Sequence, residues 1–183
     1  MKRSKLQFSK SIHGEYVELL EVILDNAIKL KKASAQMLKR KELRPFYQFL
    51  LFTAIEECGK FLLVKDAYPR KLTKSLLMEI GFYDHKKKIR RVVKNLELEY
   101  GEINPTKLNL ENKMIDNLKR NLRENSLYID YDEKNRKPVS PTFITSAKAL
   151  QDTVIIIENL IKFCYLKLAE FKKTPILKHY KFT

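Results

Sequence analysis

Apolar residues recur at steps of three and four along most of the chain, and the segments in which they do so predict helices. From about Ser11 to Leu38 the series Ile12, Tyr16, Leu19, Ile23, Ala27 and Leu30 marks a long amphipathic helix, with Glu15, Glu18 and Lys29 elsewhere on the wheel. The charged turn KRKELR ends it, and Pro45 suits the first turn of the next helix. A link this short makes the two helices antiparallel neighbours. The next stretch, FYQFLLFTAIEECGKFLLVKDAY from Phe46 to Tyr68, is apolar on nearly every side, which predicts a helix covered by neighbours all round. After Pro69, Arg70 and Lys71 a short apolar piece ends at Gly81, a strong helix stop.

The segment FYDHKKKIRRVVKNLELEY carries the stripe Ile89, Val92 and Leu96, and stepping back by four places His85 on the same inward face. Asn104 and Pro105 open a further helix through Leu108, Ile115, Leu118 and Leu122 to about Ser126. The piece from Leu127 to Asp130 alternates but is too short to stand alone as a sheet strand. Ser140 and Pro141 then start the last helix, whose rhythm of Phe143, Ala147, Leu150, Val154, Ile157, Ile161, Cys164 and Leu168 is joined by a second apolar face of Ile155, Ile156, Leu160 and Phe163. A helix of that apolar girth is either central to the bundle or part of a subunit interface.

Composition agrees with this pattern. Four glycines and six prolines in 183 residues favour long helices over many short strands. The expectation is one all-α domain, an antiparallel helical bundle of about five main helices, with its core over about residues 11–171 and basic tails at both ends. Cys58 and Cys164 fall inside apolar helical runs, without a second cysteine at metal-ligand spacing, and read as reduced core residues of a cytoplasmic protein. No secretory signal and no run of eighteen apolar residues is present, so a soluble protein with no membrane-spanning segment is expected. The net charge of +15, from 37 Lys and Arg against 22 Asp and Glu, points to a polyanionic partner, nucleic acid first and an anionic membrane surface second. A lysine-rich composition without such a partner is the competing reading.

Charges inside the apolar Phe46–Tyr68 stretch are the candidate chemistry. An inward stripe of Phe46, Leu50, Ala54, Glu57, Phe61 and Val64 puts Glu57 at a core position, where a carboxylate must be paired. Lys60 lies at i+4 from Glu56 and i+3 from Glu57, the spacing of facing helical neighbours. Either the three form an internal ion pair and nothing more, or they belong to a site. His85 divides the same way, between a satisfied core residue and a functional one. Lys86, Lys87, Lys88, Arg90, Arg91 and Lys94 put six cations into nine residues, either a solvated face or an anion site. His13 reads as a solvated helix-end residue. The stretch RENSLYIDYDEKNRKPVSP is either an ordinary connection or a loop packed across the mouth of a site. No Gly-rich phosphate loop, HExxH, CxxC or GxSxG occurs, so no cofactor and no metal site is expected. Neither an RRM-like aromatic motif nor a helix-turn-helix signature is present.

Three of these segments carry a resemblance. AIEECGK at Ala54 to Lys60, DHKKK at Asp84 to Lys88, and LRENSLYIDYD at Leu122 to Asp132 with the downstream Ser140 and Pro141 resemble, in order and spacing, the AbiV-type abortive-infection proteins of the HEPN-like superfamily. The likeness runs over roughly residues 15 to 170. It implies a HEPN-like all-α bundle and a role in defence against phage; many relatives in the wider superfamily are metal-independent ribonucleases that dimerise. The family pattern falls on Glu56, Glu57, Gly59 and Lys60, on His85 and Lys88, and on Arg123, Tyr128 and Asp130.

One departure bears on activity. Nuclease members carry an Arg followed, after about four to six residues, by a His. The corresponding positions here are Met78, Glu79 and Ile80 before His85, Lys172, Lys173 and Thr174 before His179, and Leu6, Gln7 and Phe8 before His13. The expected enzyme is a ribonuclease in which His85 is general acid or base, Lys60 and Lys88 stabilise the phosphorane and Glu57 orients them, while Lys86, Lys87, Arg90 and Arg91 hold RNA. The alternative is a non-catalytic module that sequesters RNA or a ribosome-associated component through that basic face. In both, a homodimer and a phage protein as trigger are expected partners.

Overall fold

The computed structural model describes residues 11–37, 43–100, 130–132, 137–139 and 147–173. Its elements are α1 (Ile12–Met37), α2 (Arg44–Ala67), α3 (Lys74–Ile80), α4 (His85–Tyr100), β1 (Asp130–Asp132), β2 (Lys137–Val139) and α5 (Ala147–Lys173). The fold is an all-α bundle to which a short antiparallel ribbon is added. Asp130 lies opposite Val139, Tyr131 opposite Pro138 and Asp132 opposite Lys137. The alternating piece at Asp130 thus gains strand character from a partner only a few residues on, which a stand-alone reading of its length does not anticipate. The helix expected over residues 105–126, the start at Ser140 and Pro141, and the candidates Arg123 and Tyr128 lie outside the described residues.

Helix α2 is the centre of the bundle and touches all four other described helices. Its lack of a polar face is the reason: Tyr47, Leu51, Phe52, Ala54, Ile55, Cys58, Phe61, Leu62, Val64 and Ala67 are all buried and together point in every direction around the axis. The expected inward stripe holds from Ala54 to Val64, Glu57 included, whereas Phe46 is exposed and Leu50 half-buried near the helix start. Helix α1 buries Tyr16, Leu20, Ile23, Leu24 and Ala27 against α2 and α5, and α5 contributes Ile156, Ile157, Leu160, Cys164 and Leu168 to the same core. The second apolar face of α5 is only partly covered, since Ile155 remains exposed and Phe163 half-buried.

Contacts at the helix ends fix the directions. Tyr16 in the first turns of α1 meets Tyr68 just past the end of α2, edge to face at 5.3 Å, and its hydroxyl donates to the Arg70 carbonyl at 2.8 Å. Burial raises the Tyr16 phenol above its ordinary range, so the group stays a donor. Phe171, near the end of α5, packs on the same Tyr68 ring at 4.9 Å. α1 therefore runs antiparallel to both α2 and α5. Lys172 paired with Glu21 and Lys31 paired with Glu158, each at 2.5 Å, repeat that opposition along α1 and α5. His13 belongs to this aromatic cluster, stacked on Phe171 at 4.8 Å, and is half-buried; the expectation of a solvated end residue fails because the end of α5 comes back over it.

Two glycines set the approach of α4. Gly81 takes a left-handed φ of 86° and caps α3, with Phe82 N donating to Leu77 O at 2.9 Å. Gly59 lies mid-helix in α2, where a Cβ would stand 2.5 Å from the Lys88 carbonyl oxygen and 2.9 Å from its carbon. The missing side chain lets the two backbones touch. Ala at position 59 would gain about 1 kcal/mol of helix propensity but overpack the α2–α4 contact by about 1–3 kcal/mol, against backbone that cannot swing aside. The expected result for Gly59→Ala is a lower melting temperature. A more stable variant in thermal denaturation would show that α4 gives way freely.

Candidate functional site

The middle turns of α2 carry Glu56, Glu57 and Lys60, and the first turn of α4 carries His85 and Lys88. Asp84 starts α4. Its Oδ1 accepts from the Lys86 amide at 2.8 Å and the Lys87 amide at 3.1 Å, the bonds of an N-cap, and the Lys87 bond comes first among the causes that hold its carboxyl below the ordinary value. With the cap at Asp84, His85 and Lys88 lie one turn apart on the flank facing α2.

The facing carboxylate is Glu56. His85 Nδ1 lies 2.6 Å from Glu56 Oε2, and Lys88 Nζ donates to the same oxygen at 3.2 Å. Lys88 Nζ also stands 3.4 Å from His85 Nδ1. The exposures differ sharply: the side chain of Glu56 is 7% exposed and that of Lys88 4%, while that of His85 is 55% exposed. Glu56 and Lys88 thus form a buried ion pair, and His85 bridges from it to the surface. An ionised Glu56 at 2.6 Å requires the proton on Nδ1, so a neutral His85 has Nε2 as its acceptor nitrogen. Carboxylate and histidine together can move a proton at Nε2, the carboxylate stabilising the imidazolium that results.

Glu57 makes a second unit. Lys60 Nζ donates to Glu57 Oε1 at 2.5 Å and lies 5.2 Å from the centroid of the Phe82 ring. Of the two glutamates that spacing offered it, Lys60 closes on the one at i−3. Glu57 is buried and Lys60 partly exposed. The four charges of the two units sum to zero, the condition under which carboxylates are tolerated in an apolar interior.

Two expected assignments change. Glu56, rather than Glu57, holds the histidine. Lys88 is not a surface cation aimed at a phosphate; it occupies a core position one turn before Val92 and is held by Glu56. His85, expected on the inward face, only borders it. The basic face is also smaller than its sequence count. Arg91 Nε donates to Asp66 Oδ2 at 2.6 Å and its side chain is largely covered, which makes it a tie between α4 and α2. Lys86, Lys87, Arg90 and Lys94 are exposed. Asp130 lies in β1. Asp84, which positions the histidine, and Phe82, which lies beside Lys60, were missed by the sequence reading, although an Asp directly before a helical run is a recognisable cap signal.

Other features are separate. A groove of about 380 Å³ lined by Ile28, Lys31, Lys32, Glu158, Ile161, Lys162 and Tyr165 runs between α1 and α5, on elements other than those that carry the charge cluster. Among the described residues no group of three His, Cys, Asp or Glu side chains is placed to hold a metal ion, and no helix is long and apolar enough to cross a membrane.

Glu56→Gln keeps the shape but strands the Lys88 charge in the interior, and is expected to cost about 3–5 kcal/mol in urea denaturation. The double variant Glu56→Leu/Lys88→Met removes both charges and is expected to recover most of that loss. In the cycle closed by the single variants Glu56→Leu and Lys88→Met, additive losses would refute the buried pair. Asp84 makes a pH prediction. Its folded carboxyl titrates below its unfolded value of about 3.9, so its contribution is complete above that value and disappears as pH falls through the folded pKa. Asp84→Asn keeps a capping oxygen without the titration, and its melting temperature is expected to fall less steeply than wild type below about pH 4.

No curated protein and no solved structure matches the chain. A family model does: HEPN_AbiV, described as AbiV, matches residues 15–162. That span holds nearly all of α1, all of α2 to α4, β1 and β2, and more than half of α5, together with every member of the charge cluster. The chain therefore belongs to the AbiV family of abortive-infection proteins, built on a HEPN-type helical domain.

Proposed function

We propose that this protein acts in phage defence as a metal-independent endoribonuclease centred on His85. The observation that carries the reading is the half-exposed imidazole whose Nδ1 is fixed 2.6 Å from the buried Glu56. In this reading neutral His85 accepts the proton of an RNA 2′-hydroxyl at Nε2. The 2′ oxygen attacks the adjacent phosphorus, the bond to the 5′ oxygen breaks, and that oxygen leaves with a proton from water. The products are a 2′,3′-cyclic phosphate and a 5′-hydroxyl end. Glu56 stabilises the imidazolium, Lys88 holds Glu56 in place, and Lys60 at the rim balances charge on the phosphorane. Lys86, Lys87 and Arg90 neutralise phosphates of the bound strand. Arg123, Tyr128 and Asp130 belong to the same reading as further substrate contacts, with RNA or a ribosome-associated component in the cytoplasm as target and a phage protein as trigger. The working assembly in this reading is a homodimer.

A second reading, sequestration without cleavage, is favoured by the missing Arg before a His at nuclease spacing. Total RNA incubated with purified protein in EDTA separates the two. The nuclease reading expects cyclic-phosphate ends, lost by about 10²–10⁴-fold in His85→Ala at an unchanged melting temperature. RNA binding without cleavage would support sequestration. In either case, neutralising Lys86, Lys87 and Arg90 is expected to flatten the salt dependence of binding by up to about three phosphate contacts.

A further inference from the structure

The turn between α3 and α4 presents an aromatic ring beside the cluster. Asp84 N donates to Gly81 O at 2.9 Å, closing a β-turn with Phe82 and Tyr83 at its centre. Both ends of the turn are anchored: Gly81 caps α3 and Asp84 caps α4. Phe82 is half-buried against the core and under Lys60, and its ring meets that of Tyr83 edge to face at 5.2 Å and 73°. Tyr83 itself is 58% exposed. The residue is therefore held at its backbone and by one aromatic contact while more than half of its surface is open.

From these observations we infer that Tyr83 is a base-stacking platform and that single-stranded RNA is the substrate class of the site. The inference rests on the reading of His85 as an RNA-cleaving centre. Tyr83 precedes His85 by two residues, so their Cα atoms are at most about 7.6 Å apart, close to the length of one nucleotide. The exposed Lys86, Lys87 and Arg90 follow directly. An aromatic face next to cations that track a phosphate chain is the arrangement by which proteins hold unpaired strands, because every base offers a π-face. A duplex has its bases stacked on one another and offers no such face along its length. The anchored turn lowers the ordering cost of stacking, since the ring does not have to be gathered from a mobile loop.

The test is fluorescence anisotropy of the full chain with a labelled single-stranded oligouridine of about 12 nucleotides and with a blunt RNA duplex of the same length, at one salt concentration. The expected result is preference for the single strand, a loss of roughly 5- to 150-fold in that affinity for Tyr83→Ala, near wild-type affinity for Tyr83→Phe, and no change for the duplex. An unchanged melting temperature of Tyr83→Ala keeps a folding defect apart from the binding loss. Equal single-strand affinity in Tyr83→Ala and wild type would overturn the platform while leaving RNA cleavage at His85 standing, as would an equal loss for single strand and duplex. A wild-type protein that binds neither RNA would overturn the platform and the ribonuclease reading together.

Discussion

The pairing of Glu56 with Lys88 is the constraint on which the rest of this structure depends. Two opposite charges in an apolar interior recover little when they meet, but neither is tolerable without the other. That asymmetry fixes α4 on α2 at one register. With the register fixed, the Lys88 carbonyl comes down on Gly59, and the first turn of α4 brings His85 to the carboxylate that Lys88 already holds. The position of the histidine thus follows from an ion pair in which it is not needed.

Around that pair, surface groups repeat the same task more weakly. Arg91 ties α4 to Asp66 farther along α2, and Lys60 spreads its charge over Glu57 and the face of Phe82. What stays exposed on α4 is a reduced cationic edge of Lys86, Lys87, Arg90 and Lys94. The site is therefore buried and electrically balanced on one side, and open and positive on the other. In the ribonuclease reading, this polarity lets an anionic chain bind outside while it reaches a histidine steadied from inside.

Much of the fold was legible because hydrophobic period alone sets helix faces. The all-round apolar character of α2 gave its central place, Gly81 gave the end of α3, and AIEECGK, DHKKK and LRENSLYIDYD in that order gave the family. What could not be read were the choices between partners. The stretch from Glu56 to Lys60 offers Lys60 two glutamates, and only the arrival of a second cation from α4 decides which one it keeps. Lys88 looked like one more member of a basic run, since a composition count does not distinguish a lysine at a core position from its neighbours. His13 was misjudged because the covering ring, Phe171, comes from the far end of the chain. For Lys60 and His13 the deciding contact is tertiary and local spacing carries no trace of it, whereas Lys88 stands four residues before Val92, so the stripe itself marked its core position.

The sequence separations of these contacts differ by element. His85 and Lys88 reach Glu56 across only 29 and 32 residues, with the capped α3 turn between them, whereas Lys31 on α1 meets Glu158 on α5 across 127. Short loops close at small entropic cost and early, long ones late. On a ribosome, α2, α3 and α4 are all made before α5 exists, so the carboxylate and the imidazole can meet while the bundle is still missing its last wall. The order of synthesis thus makes every member of the charge cluster available before the α5 side of the α1–α5 closure.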